Sequence, residues 1–305
     1  MTDTKHLIII GDSANMGEVA DGSIHLVVTS PPYFNSPFDY PGLFESYKDF
    51  LDLLRAIAKQ LRMKLATGRL ACFITQDVRI EGKLYPVCAD LIKIMVEAGF
   101  KYRDKITWKK PDGYTRISRR SGSVVKHGYP MYFYPDNIFE EILIFQNGKF
   151  NYKSIKKMPL DILEKSKIDI QRFNEERWFL SVWEITNVLP VPTRLEKGIA
   201  AFPEEIARRL ILLYSFPSET VLDPFLGSGT TSKVAMILGR NSIGYEIDAE
   251  LKPIIERKLS QYLLESKTEV EFIERGDMKR LRTFLQEKVS RRRSVTQKGK
   301  CNAAC

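Results

Sequence analysis

The sequence predicts an α/β fold, a mostly parallel sheet with helices on both faces. Two patterns predict it. Short apolar runs rich in β-branched residues alternate with amphipathic helical stretches. One such run, Thr220 to Asp223, enters a glycine-bearing turn, a helix and a further strand, which makes one complete β-α-β unit. A chain of 305 residues can bury a substantial core and still carry a small insertion.

The elements follow in order. Leu7 to Ile10 is the first strand. Ile24 to Thr29 is the second, and it runs into Ser30-Pro31-Pro32-Tyr33, where two prolines end it. From about Glu45, the residues Phe50, Leu53, Leu54, Ile57, Leu61 and Leu65 form one helical stripe, with Gly68 as its stop. A strand Leu70 to Thr75, a helix Tyr85 to Ala98 with Pro86 in its first turn, and strands Tyr102 to Trp108 and Ile138 to Phe145 come next. Residues 109–137 break periodicity with several Pro and Gly and carry Lys109, Lys110, Arg116, Arg119, Arg120 and Lys126, which reads as a long functional loop. The polar stretch 149–190 reads as a small inserted subdomain containing Trp178 and Trp183. Pro203-Glu204-Glu205 opens a helix with acid in its first turn, and after strand Thr220 to Asp223 come helix Thr230 to Leu238 and strand Ser242 to Glu246. The expected sheet therefore has seven strands, those starting at Tyr102 and Ile138 forming its antiparallel end.

Composition narrows the class. Hydrophobic residues are 44% and charged residues 28%, and no apolar run approaches the roughly 18 residues of a membrane span. The first residues lack the layout of a secretory signal, so the expected compartment is the cytoplasm. Four cysteines without a C-x-x-C, and only His6, His25 and His127 scattered along the chain, predict no metal site. Forty-seven Lys and Arg against 38 Asp and Glu give +9, which suits a polyanionic partner; part of that excess lies in the basic tail near Lys288.

The turn after Asp223 carries the first chemistry. Gly227 and Gly229 let backbone come close to a ligand, because glycine lacks a Cβ and accepts positive φ. Glu246 ends the next strand, about 23 residues on, where an acid can accept hydrogen bonds from ribose hydroxyls. There is no G-x-G-x-x-G, which argues against a dehydrogenase. Asp223-Pro-Phe-Leu-Gly-Ser-Gly-Thr-Thr231 resembles the S-adenosylmethionine motif of the amino-methylating DNA methyltransferases. That resemblance implies S-adenosylmethionine as cofactor, with Asp223, Pro224, Phe225, Gly227, Gly229 and Thr230 lining its methionine and ribose end and Glu246 holding the ribose. Phe202 and Pro203 resemble the segment that packs on the methionine moiety, although Lys197-Gly198 stands where family members often carry a His. Asp12 resembles the acid that binds the adenine amino group; an ordinary turn or helix cap accounts for it equally well.

Thr29-Ser30-Pro31-Pro32-Tyr33 carries the second. An exocyclic amine is a poor nucleophile because its lone pair is delocalised into the ring. Two acceptors, the Ser30 side chain and the Pro31 carbonyl, can bind its hydrogens and favour the pyramidal nitrogen that attacks a sulfonium methyl. Pro32 helps keep that backbone rigid, and Tyr33 offers an aromatic face to an extruded base. No Pro-Cys pair stands in such a loop, which argues against methylation of the cytosine ring carbon.

The order of motifs, catalytic before cofactor, resembles the permuted β group of these enzymes over residues 7–265. It implies a Rossmann-like, circularly permuted class I methyltransferase fold with a seven-stranded mixed sheet. Residues 1–148 are then the catalytic half, 149–190 a target-recognition insertion, 191–268 the cofactor-binding half and 269–305 a basic extension. Ser30 resembles the cytosine-N4 branch, with adenine-N6 as the alternative product. Double-stranded DNA is the expected substrate, met by Lys109, Lys110, Arg116, Arg119, Arg120 and Lys126. A cognate restriction endonuclease is the expected companion; monomer and homodimer stay open. An inactive DNA-binding relative is disfavoured by the two intact motifs, and methyl transfer to RNA or to a protein amide is disfavoured by the basic loop.

Overall fold

The computed structural model describes residues 3–35, 43–80, 82–111, 130, 135, 137–186, 202–261 and 268–276. Its strands are β1 (Thr4–Ile10), β2 (Ile24–Thr29), β3 (Leu65–Thr75), β4 (Val78–Ile80), β5 (Lys83–Tyr85), β6 (Lys101–Lys109), β7 (Phe139–Gln146), β8 (Val182–Glu184), β9 (Thr220–Asp223), β10 (Asn241–Glu246) and β11 (Thr268–Glu274). Among the described residues, nine of them form one sheet in the order β11-β1-β10-β9-β2-β3-β7-β6-β8, while β4 and β5 pair with each other. All pairings from β11 to β3 are parallel; β7 runs antiparallel to β3 and β6, and β8 pairs parallel to β6.

The central strands are apolar throughout because both of their faces are covered. The helices are α1 (Tyr47–Lys64), α2 (Val87–Glu97), α3 (Leu160–Lys165), α4 (Ile170–Glu175), α5 (Glu204–Tyr214), α6 (Thr230–Ile237) and α7 (Lys252–Ser260). α1 starts at a capping box: the Ser46 hydroxyl accepts the Asp49 N–H at 3.2 Å, and the Asp49 carboxylate accepts the Ser46 N–H at 2.9 Å. Its stripe Phe50, Leu54, Ile57 and Leu61 packs with α2 over Ile9, Val27, Phe73 and Leu222. Alternate residues face the other way. Leu26, Val28, Cys72 and Val221 meet α5 and α6, and Ile8 and Ile10 meet α7. The crossover after β2 thus lies on one face and the crossover after β9 on the opposite one. Since β2 and β9 are neighbours, their C-terminal ends flank a topological switch point, where open α/β sheets bind ligands.

Several expectations need correction. The sheet has nine strands rather than seven, because β8 and β11 join its two edges. β8 lies within 149–190, and Trp183 on it is 1% exposed among core residues including Trp108, so this strand of that stretch packs on the main core. β11 lies where only a basic extension is expected, and it pairs with β1 over its full length because Val270 and Phe272 pack beside Ile8 and Ile10. α1 ends at Lys64, four residues before Gly68, which instead adopts φ 86° inside β3, where an added Cβ would clash with the Phe150 backbone. Tyr85 belongs to β5, and α2 begins only at Val87.

Candidate active site

β2 and β9 bring Thr29 and Asp223 side by side. The Thr29 hydroxyl donates to Asp223 Oδ1 at 2.6 Å, Thr231 in the first turn of α6 donates to Oδ2 at 2.7 Å, and the Phe225 N–H donates to Oδ1 at 3.0 Å. Asp223 is 1% exposed, and burial pushes its carboxyl up to about 6 against the pull of those three donors. The carboxylate therefore braces the turn. Ser30, the next residue after β2, is half-buried.

Above Asp223 the chain turns on glycines. Gly227 has φ 56° and Gly229 φ 88°, conformations that side chains with a Cβ resist, and Gly229 caps α6. A Cβ on Gly227 would meet nothing within 4 Å, so the space over the turn is open to a ligand. A Cβ on Gly229 would touch Ile255 at 3.4 Å, an ordinary contact, so it is the positive φ that calls for glycine here. Glu246, at the end of β10, accepts the Gly227 N–H at 2.8 Å and the Asp248 N–H at 2.7 Å, fixing both turns around its 4% exposed side chain. From behind, Lys258 of α7 donates to the Ser228 hydroxyl at 2.7 Å and lies 3.3 Å from Thr230 Oγ1. Pro224 is buried, Phe225 is half-buried, Phe202 is 8% exposed in the α5 core, and Pro203 is the N-cap of α5.

Asp12 follows β1 on the same edge of the sheet. Its carboxylate accepts the Ala14 N–H at 2.8 Å, the turn-capping geometry open at sequence level. Arg275, just past β11, holds this loop. It donates to the carbonyls of Asp12 and Asn15 and to both oxygens of Glu18, and its guanidinium lies 5.5 Å from the centre of the Tyr245 ring. Hydrogen bonding to Arg275, above all, pulls the Glu18 carboxyl down to about 2.

Pro31 is buried, and Pro32 and Tyr33 are half-buried. The Tyr33 hydroxyl donates to Glu140 Oε2 at 2.6 Å. Lys110, expected as a DNA contact, is instead 7% exposed and paired with Glu140 Oε1 at 2.6 Å, because it lies on the inner side of the β6 end. Lys109 faces Glu184 at 3.0 Å on the more open side. Arg116, Arg119, Arg120 and Lys126 lie outside the described residues.

Sequence reasoning placed Thr29 in the motif but gave its hydroxyl no role, and it missed Glu140 and Arg275 as site residues. Glu140 and Arg275 carry no local signal, since each acts on a residue more than a hundred positions away.

The comparisons agree with this geometry. A family model described as DNA methylase matches residues 24–257, a span that contains both motifs. Among curated relatives, the type II methyltransferase M.MjaI of Methanocaldococcus jannaschii is 36% identical over 311 residues, covering 90% of this chain and 98% of that protein. Among solved structures, a candidate DNA modification methylase of Thermus thermophilus, complexed with S-adenosyl-L-methionine, aligns with a TM-score of 0.68 and 26% identity over 87% of this chain and 99% of that one. The cytosine-N4-specific PvuII DNA methyltransferase shares the fold, with a TM-score of 0.58 and 18% identity over 90% of this chain and 96% of its own. With the catalytic motif and the glycine turn joined at one switch point, this chain belongs to the N6- and N4-type DNA methylase family.

Proposed function

We propose that this chain transfers a methyl group from S-adenosylmethionine to the exocyclic N4 amine of cytosine in duplex DNA, as the modification enzyme of a restriction-modification system. The observation that carries the proposal is the Thr29–Asp223 hydrogen bond, which holds Ser30 beside the glycine turn. The open space over Gly227, bordered by Asp12, Phe225 and Glu246 at the same sheet edge, suits a nucleoside joined to an amino acid. When bound, S-adenosylmethionine supplies an electrophilic methyl group on a sulfonium.

The chain's own residues do the rest. Ser30 Oγ and the Pro31 carbonyl accept the two amine hydrogens, which keeps the nitrogen lone pair out of the ring. Tyr33 stacks on the extruded base, and the two prolines hold that geometry when the base arrives. Phe202 and Pro203 close the methionine end. A Ser at position 30, rather than the Asp common in adenine-modifying relatives, favours cytosine. The +9 charge, Lys109 at the open end of β6, and the segment carrying Arg116, Arg119, Arg120 and Lys126 supply the phosphate contacts. Digestion of duplex DNA after incubation with the protein and cofactor, followed by mass spectrometry of the nucleosides, should yield N4-methylcytosine. N6-methyladenine would transfer the same mechanism to adenine; label appearing only in RNA or protein would reject the substrate.

A further inference from the structure

Glu140 stands at the second position of β7, 3% exposed, and receives two groups at once: the Tyr33 hydroxyl at 2.6 Å on one oxygen and the Lys110 ammonium at 2.6 Å on the other. Lys110 is itself 7% exposed, and its ammonium lies 5.2 Å from the centre of the Trp108 ring. Trp108 is fixed in turn by its indole N–H, which donates to the Ile185 carbonyl at 2.8 Å. A buried ion pair of this kind adds little to stability over an apolar pair of similar volume, since desolvating both charges offsets their attraction. What it adds here is direction. A tyrosine ring attached only at its Cβ can rotate and tilt, whereas one also bound through its hydroxyl to a charged acceptor has its plane set from both ends.

We infer that Lys110 and Glu140 are positioning residues that hold the ring of Tyr33 at the angle the target base requires. This rests on the reading of Tyr33 as the stacking partner of that base. The carboxylate orients the phenol, and the ammonium holds the carboxylate in place. The ring is thereby ordered before DNA binds, so less freedom is lost when the base stacks. Neither residue touches the base or the cofactor. Their effect is expected in turnover and not in cofactor affinity.

The test is a mutant cycle on the intact protein with duplex DNA. Tyr33→Phe deletes only the hydroxyl. Lys110→Met with Glu140→Met removes both charges together, so that neither is left buried alone, and removes the acceptor of the Tyr33 hydroxyl. Each should lower kcat about tenfold, the loss of one charge-assisted hydrogen bond, with the S-adenosylmethionine dissociation constant within about twofold of the parent. Combining them should lower kcat no further than Tyr33→Phe alone, because all three changes break one connection. Additive losses would overturn the inference. If the paired variant fails to bind cofactor, Tyr33→Phe decides by itself: parental kcat there, with turnover lost in Tyr33→Ala, removes the anchoring role and leaves the stacking role standing. Parental turnover in Tyr33→Ala would remove the stacking role itself.

Discussion

The hydroxyl of Thr29 and the carboxylate of Asp223 meet at 2.6 Å across 194 positions of sequence. That bond joins the end of the strand carrying the catalytic motif to the floor of the glycine turn. Thr231 completes the joint from the first turn of α6. Because all three side chains are buried, the distance between the two motifs is set by hydrogen bonds that water does not reach.

Thr29→Val preserves shape but leaves a buried carboxylate with one donor fewer. It should cost about 1–3 kcal/mol of stability, read from urea unfolding, and turnover should fall with it. Thr29→Ser, which restores the hydroxyl, should recover most of both. Equal stability of the Val variant and the parent would show that the bond carries no weight.

Asp223 makes stability depend on pH. Its folded pKa is raised from 3.8 to about 6, so the folded state prefers the protonated form. The stabilisation from this group is complete below its unfolded pKa and is lost as pH rises through about 6. A shift of this size corresponds to up to about 3 kcal/mol. Asp223→Asn does not titrate, so relative to the parent it should gain up to about that amount between about pH 4 and pH 7 in unfolding experiments. A difference that stays constant with pH would contradict the assignment.

Both glycines sit at positive φ, so Val at either costs backbone strain. Gly227→Val also places a branched side chain in the open space over the turn and should abolish cofactor binding in calorimetry. Gly229→Val strains the αL cap and presses on Ile255, so it should lower the thermal midpoint as well as cofactor affinity. Cofactor affinity retained in Gly227→Val would place the ligand elsewhere.

Arg275→Met releases the loop that carries Asp12. The expected result is a KM for S-adenosylmethionine raised about tenfold with kcat within about twofold, since the loop orders the cofactor end and not the reacting nitrogen. An unchanged KM would leave Arg275 with a structural role only.

Much of the fold around the candidate site was legible because its signals are local. β9, the glycine turn, α6 and β10 lie close to their expected bounds, and Pro31-Pro32 end β2 where proline must. The misses share a physical cause. β8 is three residues long and becomes a strand only by pairing with β6. β11 alternates Val270 and Phe272 with Glu269 and Glu271, a period-two signal that its charge obscured. Lys110 looks like part of a basic surface until Glu140, thirty residues later, folds against it. The bracing role of Asp223 was not legible, since a strand-end acid gives no local sign of the buried hydroxyls of Thr29 and Thr231 that meet it.

The most direct test is transfer of labelled methyl from S-adenosylmethionine to duplex DNA by the parent and by Ser30→Ala, with cofactor affinity measured on both. Incorporation by the parent is expected, with a loss of about a thousandfold in Ser30→Ala at a cofactor dissociation constant changed by no more than about twofold. No incorporation by the parent, or equal incorporation by the two, would contradict it.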